Sequence, residues 1–340
     1  MSTSCLTVSK TIDLFLVACQ ADGLRDATVQ TYLDKLKPLR RAFGEFALES
    51  ITTDNLRSHF ADLSSQTQRW QNHPYVPPKP GGYAPATLYS FFRTVRRFFN
   101  WCVQDNLLEK SPVRGIKQKP VRKRVPRGIS TEAFTSLLRA TDGETVWKLR
   151  DRTIVLLLGD TGCRAGGAVN LNVADVNLDE GFVLLTEKGD KQRFSPISPM
   201  TREALAAYLR LRPSVLRDED EQALFVSQRT RSRLTVSGMH QMVDCLGKRA
   251  GVRENVALHR IRHAFARWYL LNGGDLSTLS DLMGHSTVEV TREFYAIFNR
   301  EELRRKHAQH SMVARLSRER DSCGGEIGYA VAERDLARIA

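Results

Sequence analysis

Near its C-terminal end the 340-residue chain carries the stretch LHRIRHAFARWYLLNGGDLSTLSDLMGHSTVEVTREFY, which gathers His259, Arg262, His263, His285 and Tyr295 into one run of short helical segments. A packed core gains nothing from that much imidazole and guanidinium, because burying charge without a partner costs several kcal/mol. The types point to an anion. Cleaving a phosphodiester without a metal needs a nucleophile, cations to neutralise a pentacoordinate phosphorane and an acid to protonate the departing oxygen. Arginine suits the phosphorane, since its planar fork donates to two oxygens and keeps its charge. Histidine or lysine suits the proton transfer because its surroundings can tune its pKa. Tyrosine, with a pKa near ~10, becomes a competent nucleophile when neighbouring cations favour the phenolate. His259 and Arg262 stand three apart and share a helix face, with His263 to the other side. The two histidines of HRIRH have the zincin spacing, but Arg260 stands where that motif requires Glu, so no metal site is expected.

The elements that must hold these residues are legible in pattern and charge. With 340 residues the default is two domains. A net charge of +13, from 51 basic and 38 acidic residues, favours a polyanionic partner, nucleic acid before an anionic membrane surface. No apolar run reaches the ~20 residues of a membrane helix, and the N-terminus reads as neither leader nor anchor, so a cytoplasmic protein is expected. The six cysteines are scattered and form no C-x-x-C pair, which argues for reduced thiols rather than a disulfide framework or zinc site.

From Thr7 to about Asn106 the chain reads as four helices, with Asp26, Thr52 or Thr53, and Pro85 as starts. The fourth places Leu88, Phe91, Phe92, Val95, Phe98, Phe99 and Cys102 on one stripe and Arg93, Arg96, Arg97 and Asn100 on another, so one face packs and the other can lie along phosphates. Before it, QTQRWQNHPYVPPKPGGYAP reads as a long loop. Residues 111–128, SPVRGIKQKPVRKRVPRG, hold seven basic residues, three prolines and no acid, the composition of a linker that can track a DNA backbone through Arg122, Lys123 and Arg124. Helices follow, then a β-hairpin pattern in GFVLLTEKGDKQRFSPIS with lysines at its tip, then more helices to about Arg318. The expected organisation is a helical DNA-binding domain at 7–110, a basic linker at 111–128, a catalytic domain at 129–318 and a tail at 319–340.

The order of motifs resembles the tyrosine recombinase, or phage integrase, family over about residues 125–300. GDTGCRAGGAVNLNVADVNL is similar to the T-G-x-R box that presents the family's first catalytic arginine, here Arg164. EKGDKQRFSPIS resembles its β-hairpin, whose turn carries the catalytic lysine; Lys188 fits and Lys191 is the fallback. LHRIRHAFA resembles the H-x-L-R-H-x-F-A box, giving His259 and Arg262, with His263 a structural companion. LMGHSTVEVTREFY resembles the G-H box and nucleophile, giving His285 and, ten residues on, Tyr295. Tyr269 lies upstream in another helix and does not compete.

The resemblance implies a mostly α fold with a small antiparallel β-sheet in the catalytic domain, arranged as a two-domain clamp on DNA. It implies breaking and rejoining of double-stranded DNA sites through a 3′-phosphotyrosyl bond, without metal, cofactor or ATP. The implied partners are a homo-tetramer on DNA and accessory DNA-bending or directionality proteins, and the implied location is the cytoplasm, on the nucleoid when DNA is bound. The tail, with an amphipathic segment and a glycine break, is expected either to dock on a neighbouring protomer or to fold back on its own domain. Gly167 departs from the family, which commonly has an acidic residue three positions after the first arginine. The rival readings are relaxation of DNA in the manner of a type IB topoisomerase and a DNA-binding derivative without catalysis.

Overall fold

The computed structural model describes residues 6–69, 77–118, 128–186, 192–219 and 221–284, together with Arg304, His307, Ser311 and Val313. The chain divides into two compact units, Met1–Lys123 and Arg124–Ala340. In the first, α1 (Val8–Ala21), α2 (Asp26–Phe43), α3 (Thr53–Ser65) and α4 (Pro85–Gln104) enclose one core. Their starts follow local chemistry. The Thr7 hydroxyl accepts from the Lys10 N–H, Thr52 and Asn55 form a reciprocal capping box, and Pro85 occupies the first turn of α4, where its missing N–H costs nothing. Asp26 begins α2 but does not cap it; that position belongs to Arg25, which makes no side-chain cap bond.

The core of this unit is aromatic, with Phe15 meeting Phe98 edge-on at 5.7 Å and Trp101 at 5.5 Å. On α4, Phe92, Val95, Phe98, Phe99 and Cys102 are buried, whereas Arg93, Arg96, Arg97 and Asn100 are exposed. The loop before α4 is not wholly irregular: β1 (Gln68–Arg69) pairs antiparallel with β2 (Lys79–Pro80). Two-residue strands carry no readable alternation. The beginning of the basic stretch also belongs to this unit rather than to a tether, since Val113 is buried in its core and the Thr53 hydroxyl donates to the Pro112 carbonyl at 2.8 Å.

The second unit is built around α6 (Val146–Thr161), which follows α5 (Thr131–Ala140) and buries residues on most of its faces, among them Ile154, Val155, Leu157 and Leu158. After α7 (Ala165–Asn170) comes an antiparallel three-stranded sheet of β3 (Val176–Asn177), β4 (Phe182–Thr186) and β5 (Gln192–Pro196), so the hairpin gains a short third strand. Val183, Leu185 and Ser195 face the core, while Phe182 and Phe194 meet edge-on at 5.0 Å on the other face. Then follow α8 (Pro199–Leu211), α9 (Val236–Arg249), α10 (Leu258–Leu271) and α11 (Leu276–Met283). α6 packs against α8 and α10, and α10 against α11. No described helix is long and apolar enough to cross a membrane.

Several arginines of this basic chain serve the fold. Arg150 donates to the Val226 carbonyl at 2.9 Å, Arg212 to that of Ala223 at 3.0 Å, and Arg233 to that of Val169 at 2.8 Å, each satisfying backbone acceptors that regular structure leaves over.

Candidate active site

α6 ends at Gly162, which adopts a left-handed conformation (φ 57°) and returns its N–H to the Leu158 carbonyl. A side chain is excluded there twice over: by the positive φ, and because a Cβ would stand 2.2 Å from the Phe265 ring of α10. The tight corner turns the chain straight into Cys163 and Arg164, and Arg164 is the N-cap residue of α7.

Arg262 comes from α10, one turn in from its start. Its guanidinium is buried and bridges two elements, donating Nη1 to the Gly162 carbonyl at 2.5 Å and Nη2 to the Met283 carbonyl at 2.7 Å. Arg164 reaches the next carbonyl along, that of Gly284, at 3.5 Å. Gly284 is itself left-handed (φ 59°) and terminates α11. Two arginines far apart in sequence therefore converge on consecutive carbonyls, immediately before His285 in the chain. His285 and Tyr295 lie outside the described residues, as do Lys188, its fallback Lys191 and the linker residues Arg122, Lys123 and Arg124.

His259 sits in the first turn of α10 and is exposed. Solvent reaches the ring, yet the surrounding protein still disfavours its charge and lowers its pKa, and the positive charges of Arg262, His240 and Arg164 act in the same direction. His259, Arg164 and Arg262 thus share one electrostatic environment. His240, on α9, joins them although nothing in its sequence neighbourhood singles it out; only the packing of α9 could reveal it. His263 is half-buried and pushed down to about 4, by burial first and then by His259, Arg262 and Arg260.

Arg260 has a structural task. It ion-pairs with Glu254 at 2.9 Å and donates to the Gly128 carbonyl at 3.1 Å, while Glu254 accepts from the Ser130 N–H at 3.0 Å. Gly128 has no room for a side chain, since a Cβ would fall 2.7 Å from the backbone of Ala264. The start of the second unit is thereby tied to the helix that carries His259 and Arg262. Arg93 and Arg96 on α4 are exposed without a described ion pair, whereas Arg97 lies over the Tyr32 ring at 5.3 Å and its positive charge acts on the Cys19 thiol.

The sequence profile of the phage integrase family matches residues 129–302, more than half of the chain. The chain belongs to this family. It is 28% identical to the tyrosine recombinase XerC of Alcanivorax borkumensis over 287 residues, which covers 84% of this chain and 88% of that protein. To the tyrosine recombinase XerD of Staphylococcus epidermidis it is 30% identical over 229 residues, 67% of this chain and 77% of that one. The fold is also similar to that of a lambda integrase dimer bound to a COC′ core site, with a TM-score of 0.67 at 16% identity over 86% of this chain and 79% of that chain. As a member of the phage integrase family the protein is a tyrosine-type site-specific recombinase, a class that cleaves and rejoins DNA. Relaxation in the manner of a type IB topoisomerase is not favoured, since the relatives are recombinases.

Proposed function

We propose that Tyr295 is the nucleophile of this recombinase and that Arg164, Arg262 and His285 hold the scissile phosphate of a double-stranded recombination site. The phenol oxygen attacks phosphorus, a 3′-phosphotyrosyl bond forms, and the bond to the 5′-oxygen breaks. The phenol proton passes to His259, and Lys188 protonates the departing 5′-oxygen. A lowered pKa leaves the His259 imidazole neutral near pH ~7, the state that can accept a proton. Because the phosphotyrosyl link conserves the energy of the phosphodiester, a 5′-hydroxyl from a partner duplex reverses the step without ATP. Exchange of two duplexes breaks four strands, and one tyrosine per chain then calls for a tetramer on DNA. Accessory DNA-bending or directionality proteins would decide which sites meet.

The observation that carries this reading is the convergence of Arg164 and Arg262 on the carbonyls of Gly284 and Met283, directly before the G-H histidine. Arg93, Arg96 and Arg97, with Arg122, Lys123 and Arg124, are proposed to follow the DNA backbone. The test is covalent trapping. Wild type and Tyr295→Phe are incubated with nicked DNA carrying the cognate site and run on a denaturing gel. A protein–DNA adduct is expected from wild type and none from the variant. If a cognate site is bound without any adduct, repeating with a suicide substrate and an accessory factor separates a DNA-binding derivative that has lost catalysis from an assembly that needs its partner.

A further inference from the structure

We propose that Arg193 is a third guanidinium of the phosphate site, contacting the same scissile phosphate as Arg164 and Arg262. The inference rests on the site assigned under Proposed function and extends it to a residue of the sheet. Arg193 lies on β5 directly opposite Leu185 of β4, and Ser195 lies opposite Val183. Strand alternation puts all four side chains on one face, and Leu185, Val183 and Ser195 are buried there, so the half-buried Arg193 projects to the core side of the sheet. That side meets α7, which packs on β4 and starts at Arg164.

The arginines meet around the corner that holds Cys163. The positive charges of Arg193 and Arg262 both bear on the buried Cys163 thiol, and Arg193 also acts on Arg164, the next residue. Arg262 is bonded to this corner through the Gly162 carbonyl, Arg164 lies within it, and Arg193 is near enough for its charge to act there. A phosphorane, with two negative charges, is suited to three cations. The residue at position 167, where the family resemblance leads one to expect a carboxylate, is a buried glycine, so that position adds no negative charge to the corner.

The experiment is a double-mutant cycle between the side chain and the phosphate. In a Tyr295→Phe background, which binds without cutting, Kd is measured for cognate duplexes with a single methylphosphonate placed in turn at each position of the central region. This group replaces a charged oxygen by methyl. Arg193→Met is expected to weaken binding of unmodified DNA by about 10- to 100-fold, the range of a charge-assisted hydrogen bond, but to change binding within about twofold when the scissile phosphate is neutral. An equal loss on every duplex, or no loss, overturns the proposal, because a merely structural arginine cannot sense one phosphate. Thermal melting reports whether Arg193→Met is folded. If it is not, Arg193→Lys, which keeps charge but loses the fork, is carried through the same scan, and a loss that disappears only when the scissile phosphate is neutral is again required. Failure of the nucleophile assignment would show separately, as no adduct in the trapping assay.

Discussion

His263 and Arg262 are sequence neighbours with opposite electrostatic fates. Arg262 keeps its charge in a buried setting because two backbone carbonyls accept from it. His263 instead stays neutral, since burial and the cations on either side hold its pKa at about 4. Against an unfolded value near ~6.5, the unfolded chain binds more protons between the two pKa values, so stability rises with pH across that window. The contribution is fully present above ~6.5 and is lost as pH falls toward about 4. His263→Asn should therefore narrow the difference in unfolding free energy between about pH 7 and about pH 5 by of the order of 1 kcal/mol, after allowing for the solvent that still reaches the ring. Urea titrations of both proteins at the two pH values read this directly; an unchanged difference would remove His263 from the acid sensitivity of the fold. The HRIRH string shows that imidazole and guanidinium alternate, but not that Arg260 would be spent on Glu254 and Gly128 while Arg262 turns inward. Those partners lie in other elements.

At the level of elements, the site depends on how helices end. α6 and α11 both stop at left-handed glycines, and Arg262 spans the two helix ends by donating to the carbonyls of Gly162 and Met283. Gly162→Ala should cost about 2–4 kcal/mol, combining left-handed strain with a Cβ driven into Phe265. Gly251, with a similar φ of 65° and nothing within 4 Å of a built Cβ, isolates the strain alone, and Gly251→Ala should cost about 1–2 kcal/mol. Chemical denaturation compares the two. If they lose equal stability, the packing of Phe265 on the corner contributes nothing. Cleavage should fall for Gly162→Ala only, because that carbonyl positions Arg262. Helix capping by Thr52 and Pro85 and the amphipathic stripe of α4 were legible, as they depend on neighbours within one or two turns. The pairing of β1 with β2 and the third strand β3 were not, since two-residue strands have no period to read.

For the whole molecule, a net charge of +13 is divided between fold and function. Arg150, Arg212, Arg233 and Arg260 are taken up by carbonyls or carboxylates within the second unit, so they contribute field but little contact. Arg93 and Arg96 remain exposed on α4. If both bind phosphates, Arg93→Gln with Arg96→Gln should reduce the slope of log Kd against log salt by about two, measured by fluorescence anisotropy between low and moderate salt. Arg97, stacked over the Tyr32 ring, should contribute less, and an unaltered slope in the double variant would take α4 off the DNA. The helical periods, the basic balance, the hairpin and the ordered boxes that pointed to the phage integrase family were legible in the residues alone, because composition and short spacing encode all of these. Which cations meet was settled by packing, which brings Arg164 and Arg262 together at the end of α11 and withdraws Arg260 into an ion pair. The reason is physical. A guanidinium's role is fixed by the carbonyls, carboxylates and other charges within a few ångströms, and in this fold those come from segments distant along the chain.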